Sequence, residues 1–209
     1  MNSRRYIMLI FLLLAIVTGG TIVACSSGSA LPHLASNAVI VAFGDSLTYG
    51  TGAEQGESYP AVLEKLIGRR VVNAGIPGEV TGEGLSRLPE VLQKEKPALI
   101  IICHGGNDLL RRLNQQQAAN NIRAMIRLVQ EQGVAVVLIA VPAPGVSLSP
   151  PSMYREIAKD FAIPLEEKIM AAVLADGSLK SDYIHPNAKG YHRVADDLAM
   201  LLKKSGAVE

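Results

Sequence analysis

Residues 39–50 read VIVAFGDSLTYG, and this stretch decides the fold. Val39–Phe43 is a short apolar run with the length and β-branched content of a buried strand. Gly44 ends the strand, and Asp45 and Ser46 stand where the chain turns. A serine at the C-terminal end of a strand, ahead of the next helix, lies where open α/β sheets carry their sites. The pattern is not the Gly-x-Ser-x-Gly elbow of the α/β-hydrolases.

Outward from this stretch, short apolar runs alternate with amphipathic ones, the signature of βαβ units. Further strands are expected at Arg70–Asn73, Ala98–Cys103 and Ala135–Val141, with a short last strand at Phe161–Pro164. Helices are expected from Ser58 to Gly68, at Gly82–Lys94 with a kink at Pro89, and at Gln115–Gln132. Three more are expected at Met153–Asp160, Leu165–Leu174 and Ala188–Lys204, the last capped by Asn187. Four prolines keep Pro142–Pro151 irregular. Five parallel strands with helices between them predict a three-layer α/β/α sandwich of flavodoxin-like order. Right-handed crossovers then gather Gly44–Gly50, Ala74–Thr81, His104–Leu109 and Pro142–Pro151 at one sheet edge.

The N-terminus reads differently. Arg4 and Arg5 precede an unbroken apolar run, Tyr6–Val17, and a small or apolar stretch to Ala24, the layout of a secretory signal. It ends in Ile22-Val23-Ala24-Cys25, which resembles the lipobox of bacterial lipoproteins, whose cysteine is lipidated after cleavage. The alternative is an uncleaved membrane helix over Tyr6–Ala24. Both place the remainder outside the inner membrane, tethered to a bilayer. The expected division is a signal at 1–24, Cys25 and a flexible tether to Asn37, and a domain at 38–205. Loss of Arg4 and Arg5 takes the formal charge from +1 to −1, so nothing electrostatic points to nucleic acid. Cys103 lies in an apolar run and reads as a buried thiol.

Four stretches carry chemistry. Gly44-Asp45-Ser46-Leu47 resembles block I of the GDSL or SGNH hydrolases, whose nucleophile is that serine. Asn73-Ala74-Gly75-Ile76-Pro77-Gly78 resembles block II, in which a loop glycine offers its N–H to an oxyanion. The resemblance puts that role at Gly78, with Gly75 as competitor; a tight turn is the alternative. Gly105-Gly106-Asn107-Asp108 resembles block III, where the asparagine amide is a second oxyanion donor; a plain turn is again the alternative. Asp182-Tyr183-Ile184-His185 resembles block V. In a turn-like segment an aspartate reaches the ring of a histidine three residues on, and an Asx turn before a helix competes with that reading. Together, in this order, the stretches identify residues 38–202 as a member of the SGNH family, closest to its bacterial thioesterase I, lysophospholipase and arylesterase group.

The resemblance implies a serine ester hydrolase with Ser46, Asp182 and His185 as catalytic residues. Its oxyanion hole would comprise Ser46, Gly78 and Asn107. The implied substrates are acyl or aryl esters, thioesters or lysophospholipids, and the anchor adds a membrane partner. Two other readings stay open: an O-acetyl esterase of envelope polysaccharide, and a non-catalytic lipoprotein that binds acyl or glycan ligands. No metal or dinucleotide motif is present, so no cofactor is implied. Asp45 and Asp108 read as residues that hold their loops. His33 falls in the tether and His192 within the last helix. His104 stands where that group has leucine, and reads as structural or as pocket-lining.

Overall fold

The computed structural model describes residues 29–143, 145 and 148–209. Cys25 and the expected signal segment at 1–24 lie outside the described residues. Strands β1 (Val39–Gly44), β2 (Arg70–Gly75), β3 (Leu99–Cys103), β4 (Ala135–Ile139) and β5 (Leu165–Glu166) form one parallel sheet in the order β2-β1-β3-β4-β5. The strands β1, β3 and β4 are continuous apolar runs, rich in Val, Ile, Leu and Ala, because helices cover both faces.

The helices are α1 (Ser46–Tyr49), α2 (Tyr59–Ile67), α3 (Thr81–Glu95), α4 (Gly106–Leu110), α5 (Gln115–Glu131), α6 (Met153–Asp160), α7 (Ile169–Ala175) and α8 (Ala188–Lys204). α2, α7 and α8 pack together, as do α3, α5 and α6, which makes the three layers. Ile122, Met125, Ile126 and Val129 form the buried stripe of α5. Asn187 caps α8 by accepting the Gly190 N–H at 3.1 Å.

Five expectations are corrected. β2 runs on to Gly75, because its last residues pair with Phe43 and Gly44. Helix α3 passes through Pro89 unbroken; Pro89 is exposed, while Leu88 and Leu92 hold the inner face. The last strand is Leu165–Glu166, not Phe161–Pro164. Phe161 is still the cap of α6, and pairing begins where the Leu138 N–H donates to the Pro164 carbonyl at 3.0 Å. The next helix then starts at Ile169 rather than Leu165, since Glu166 Oε1 accepts the Lys168 and Ile169 N–H groups at 3.0 and 2.9 Å.

The fifth correction concerns the expected flexible tether. From Leu31 the segment is docked: Leu31 and Leu34 donate N–H bonds of 2.8 Å to the Ser205 and Ala207 carbonyls. Leu34 is buried, and Arg69 Nε donates to the Ala35 carbonyl at 3.1 Å. Ala207 and Val208 are buried too, so the core extends past residue 205. Ser205 ends α8 and Ala35 precedes β1, so this contact sits at the N-terminal edge of the sheet.

Candidate active site

Strand order reverses between β1 and β3, so the crevice of the sheet opens outside their C-terminal ends. Ser46 follows β1 and Asn107 follows β3. The buried Asp45 caps α1, its Oδ1 accepting the Leu47 N–H at 3.0 Å. Burial lifts its carboxyl above the ordinary value.

Asp182 fulfils both readings of its motif, one oxygen for each. Oδ1 accepts the Ile184 and His185 N–H groups at 2.8 and 2.9 Å, which makes the turn. Oδ2 faces His185 Nδ1 at 2.8 Å. His185 Nε2 in turn lies 3.0 Å from Ser46 Oγ. Burial would raise the Asp182 carboxyl, but the bond from His185 and the two backbone N–H groups outweigh it and hold the group below its ordinary range. A carboxylate only accepts, so it fixes the proton on Nδ1 and leaves Nε2 to accept from the serine.

Asn107 Nδ2 donates to the Glu79 carbonyl at 3.0 Å and to Asp45 Oδ2 at 3.3 Å. Ser46, Asn107 and His185 line a cavity of about 220 Å³, walled by Leu47, Leu110, Val141, Leu148, Leu174 and Ile184. Tyr183 also borders it and is exposed. Pro142 and Leu148 bring the proline-rich loop to this cavity.

The two glycines of the second motif differ. The Gly75 N–H is spent on Asn73 Oδ1 at 3.0 Å, and an added Cβ at Gly75 would stand 2.2 Å from the Tyr49 nitrogen. The Gly78 carbonyl accepts from Arg111 Nη2 at 2.8 Å, while its N–H has no acceptor among the described residues. Gly78 itself is not among the residues lining the cavity.

Asp108 ties its loop to α3, accepting from Thr81 N and Oγ1 at 2.9 and 2.7 Å. His192 pairs with Asp196 on the surface, and Cys103 is buried. His104 does not reach the cavity. It is fully buried against Glu79, which Arg87 also holds, and neither partner has a local signal in the sequence. Among the described residues no group of three or more His, Cys, Asp or Glu is placed to hold a metal. Nor is any described helix long and apolar enough to cross a membrane.

A serine bonded to a carboxylate-oriented histidine, above an apolar hollow at the crevice of a doubly wound sheet, is the architecture of a serine hydrolase. A model of the GDSL-like lipase/acylhydrolase family matches residues 42–193, and the chain belongs to that family. Esterase TesA of Pseudomonas aeruginosa is 29% identical over 189 residues, 83% of this chain and 92% of the relative. Thioesterase 1/protease 1/lysophospholipase L1 of Escherichia coli strain K12 is 30% identical over 172 residues, 78% of this chain and 83% of the relative. The crystal structure of TesA superimposes with a TM-score of 0.73 at 28% identity, covering 80% of this chain and 99% of that one. AlinE4, an SGNH-hydrolase family esterase, gives 0.65 at 32% identity, covering 82% and 98%. The chain is thus a serine ester hydrolase.

Proposed function

We propose that Ser46 is the nucleophile, His185 the general base and Asp182 its orienter. The hydrogen-bonded chain from Asp182 through His185 to Ser46, 2.8 and 3.0 Å, is the observation that carries this assignment. His185 Nε2 takes the hydroxyl proton as Ser46 Oγ attacks the ester carbonyl. The N–H groups of Ser46 and Gly78 and the Asn107 amide receive the oxyanion. One Asn107 hydrogen stays on the Glu79 carbonyl; the other makes only the longer bond to Asp45 and turns to the oxyanion. The tetrahedral adduct collapses, and the alcohol or thiol leaves with the proton from His185. Water, deprotonated by His185, then attacks the acyl-enzyme and frees the acid and Ser46.

The apolar cavity supports an acyl or aryl group in the hollow. Relatives named as esterase, thioesterase, lysophospholipase and arylesterase support carboxylic esters and thioesters as substrates. The sequence of residues 1–25 supports export and a lipid anchor on Cys25.

Such an anchor has a geometric consequence. Residues 25–30 reach about 20 Å when fully extended. The 17-residue α8, which leads from the catalytic loop to the docked segment, is about 25 Å long. Held at its N-terminal edge, the domain then presents its cleft away from the anchoring bilayer. That favours esters arriving from solution over lipids of the same membrane. The test is hydrolysis of p-nitrophenyl esters, from acetyl upward, by a 26–209 fragment and its Ser46→Ala variant. Turnover lost in the variant upholds the assignment. A preference limited to acetyl would favour a polysaccharide deacetylase. Neither turnover nor fluorophosphonate labelling would leave a binding lipoprotein.

A further inference from the structure

Glu79 follows Gly78 directly, and its carbonyl holds the Asn107 amide at 3.0 Å. One residue therefore links both non-serine donors of the proposed oxyanion hole. Its side chain turns inward and is 5% exposed. Arg87 grips it with two bonds, Nε at 2.8 Å and Nη2 at 2.7 Å. Arg87 Nη2 also donates to the Ala74 carbonyl at 3.1 Å, and its guanidinium lies 4.3 Å over the Phe43 ring. The carboxylate is thereby tied to the ends of β2 and β1.

His104 closes the grip from the other side. Its Nε2 stands 3.0 Å from Glu79 Oε2, its ring is fully buried, and its carbonyl accepts from Tyr154 Oη at 2.9 Å. The carboxylate can only accept, so the ring proton is on Nε2. Nδ1 is buried without a partner, which costs less as a lone pair than as an unmet donor. Helix α3 makes room for the ring at Gly84, where an added Cβ would stand 2.4 Å from His104 Nε2.

With an apolar side chain in that space Arg87 would still bond both Glu79 oxygens, and no polar atom would be left unmet. Stability alone therefore does not explain the histidine. Position does. We propose that His104 and Arg87 are positioning residues of the oxyanion hole. They hold the Glu79 carboxylate, and through its backbone they set the Gly78 N–H and the Asn107 amide in register with Ser46. This rests on the assignment of Gly78 and Asn107 as oxyanion donors.

The experiment measures kcat per site titrated with a fluorophosphonate, KM for a p-nitrophenyl ester, and inhibition by an alkyl trifluoromethyl ketone. The ketone's adduct with Ser46 places an oxyanion in the hole. Displacement of a donor by a fraction of an ångström predicts a loss of about 10- to 100-fold in kcat for His104→Leu, with KM within about twofold. Ketone affinity should fall by a similar factor. His104→Gln, whose amide can donate to Glu79, should recover most of that loss. Glu79→Gln, assayed in the same way, serves where His104→Leu does not fold. Unchanged kcat per site and ketone affinity in the folded variant would overturn the proposal, as would a glutamine no better than leucine. Asn107→Ala is assayed alongside: full activity there would show that the donor assignment itself had failed.

Discussion

His185 Nε2 stands 3.0 Å from Ser46 Oγ although the two residues are 139 positions apart in the chain. The contact exists because β1 delivers the serine to the same sheet edge where the loop before α8 delivers the histidine. That loop is held independently of the serine. The Ser181 N–H donates to the His185 carbonyl at 3.0 Å, and Lys180 bridges Pro186. Ser46→Ala should therefore remove turnover without moving His185. The check is a loss of fluorophosphonate labelling together with an unaltered thermal transition.

Asp182→Asn should lower kcat by a factor on the order of 10²–10⁴ while leaving KM nearly constant. The amide oxygen can still accept from Ile184 and His185, so the turn survives. An amide NH₂ facing Nδ1 would favour the tautomer whose proton sits on Nε2, and that ring cannot accept from Ser46. The Asp182 side chain is half exposed, which argues for the lower part of this range. Steady-state kinetics on one p-nitrophenyl ester decides the matter, and unchanged kcat would remove Asp182 from the scheme.

Asn107→Ala should cost on the order of 10²–10³ in kcat, the usual effect of one lost oxyanion donor. It also frees the Glu79 carbonyl and Asp45 Oδ2, so some loss of stability will accompany it. Reporting kcat per labelled site separates the two effects. A rate per site equal to that of the parent enzyme would exclude the amide from the oxyanion hole.

What the sequence shows and what it hides follow from the range of the interactions. Val39–Phe43 is legible because a strand buried on both faces needs a continuous apolar run. The Asp182–His185 pair is legible because both residues sit in one turn. Asn107 and Ser46 come together only through the strand order, which the alternation of elements supplies. The grip on Glu79 is different. Arg87 and His104 meet it from the next helix and from just past the next strand, 8 and 25 positions away, and neither spacing marks a partner. The docked N-terminal segment was equally hidden. Leu31 and Leu34 are isolated apolar residues in a small polar stretch, and their acceptors lie at the far end of the chain. The apolar pattern marks a strand at Phe161–Pro164, a few residues before the observed pairing, since periodicity does not show which carbonyl begins it.

The Glu79 carboxyl gives the clearest acid dependence of stability. Burial raises it, but the bonds from Arg87 and then His104 win and take it from 4.5 to about 2. A depressed folded value means that the stabilisation is fully present above pH 4.5 and is lost as pH falls toward 2. A shift of this size corresponds to about 3 kcal/mol. Urea unfolding at several pH values should show the parent losing stability over this window more steeply than Glu79→Gln, by up to one proton in the slope. Parallel slopes would mean that the carboxylate is not held as the geometry indicates.

Leu34→Asp tests whether the docked segment sets the orientation of the cleft. A carboxylate in the site of a buried leucine cannot stay there without a partner, so the segment from Leu31 should come away. Because it docks at the edge opposite Ser46, kcat on a soluble ester should not change. Hydrogen exchange should rise in residues 31–38 and at the C-terminal end of α8. In a protein anchored through Cys25 as proposed, the leash would then run from Cys25 to Ala38, about 45 Å when extended, longer than α8. Hydrolysis of a lysolipid in the same vesicles should rise relative to the soluble ester. If the parent already hydrolyses vesicle lysolipid as fast as the variant does, the docked segment does not hold the cleft away from the membrane.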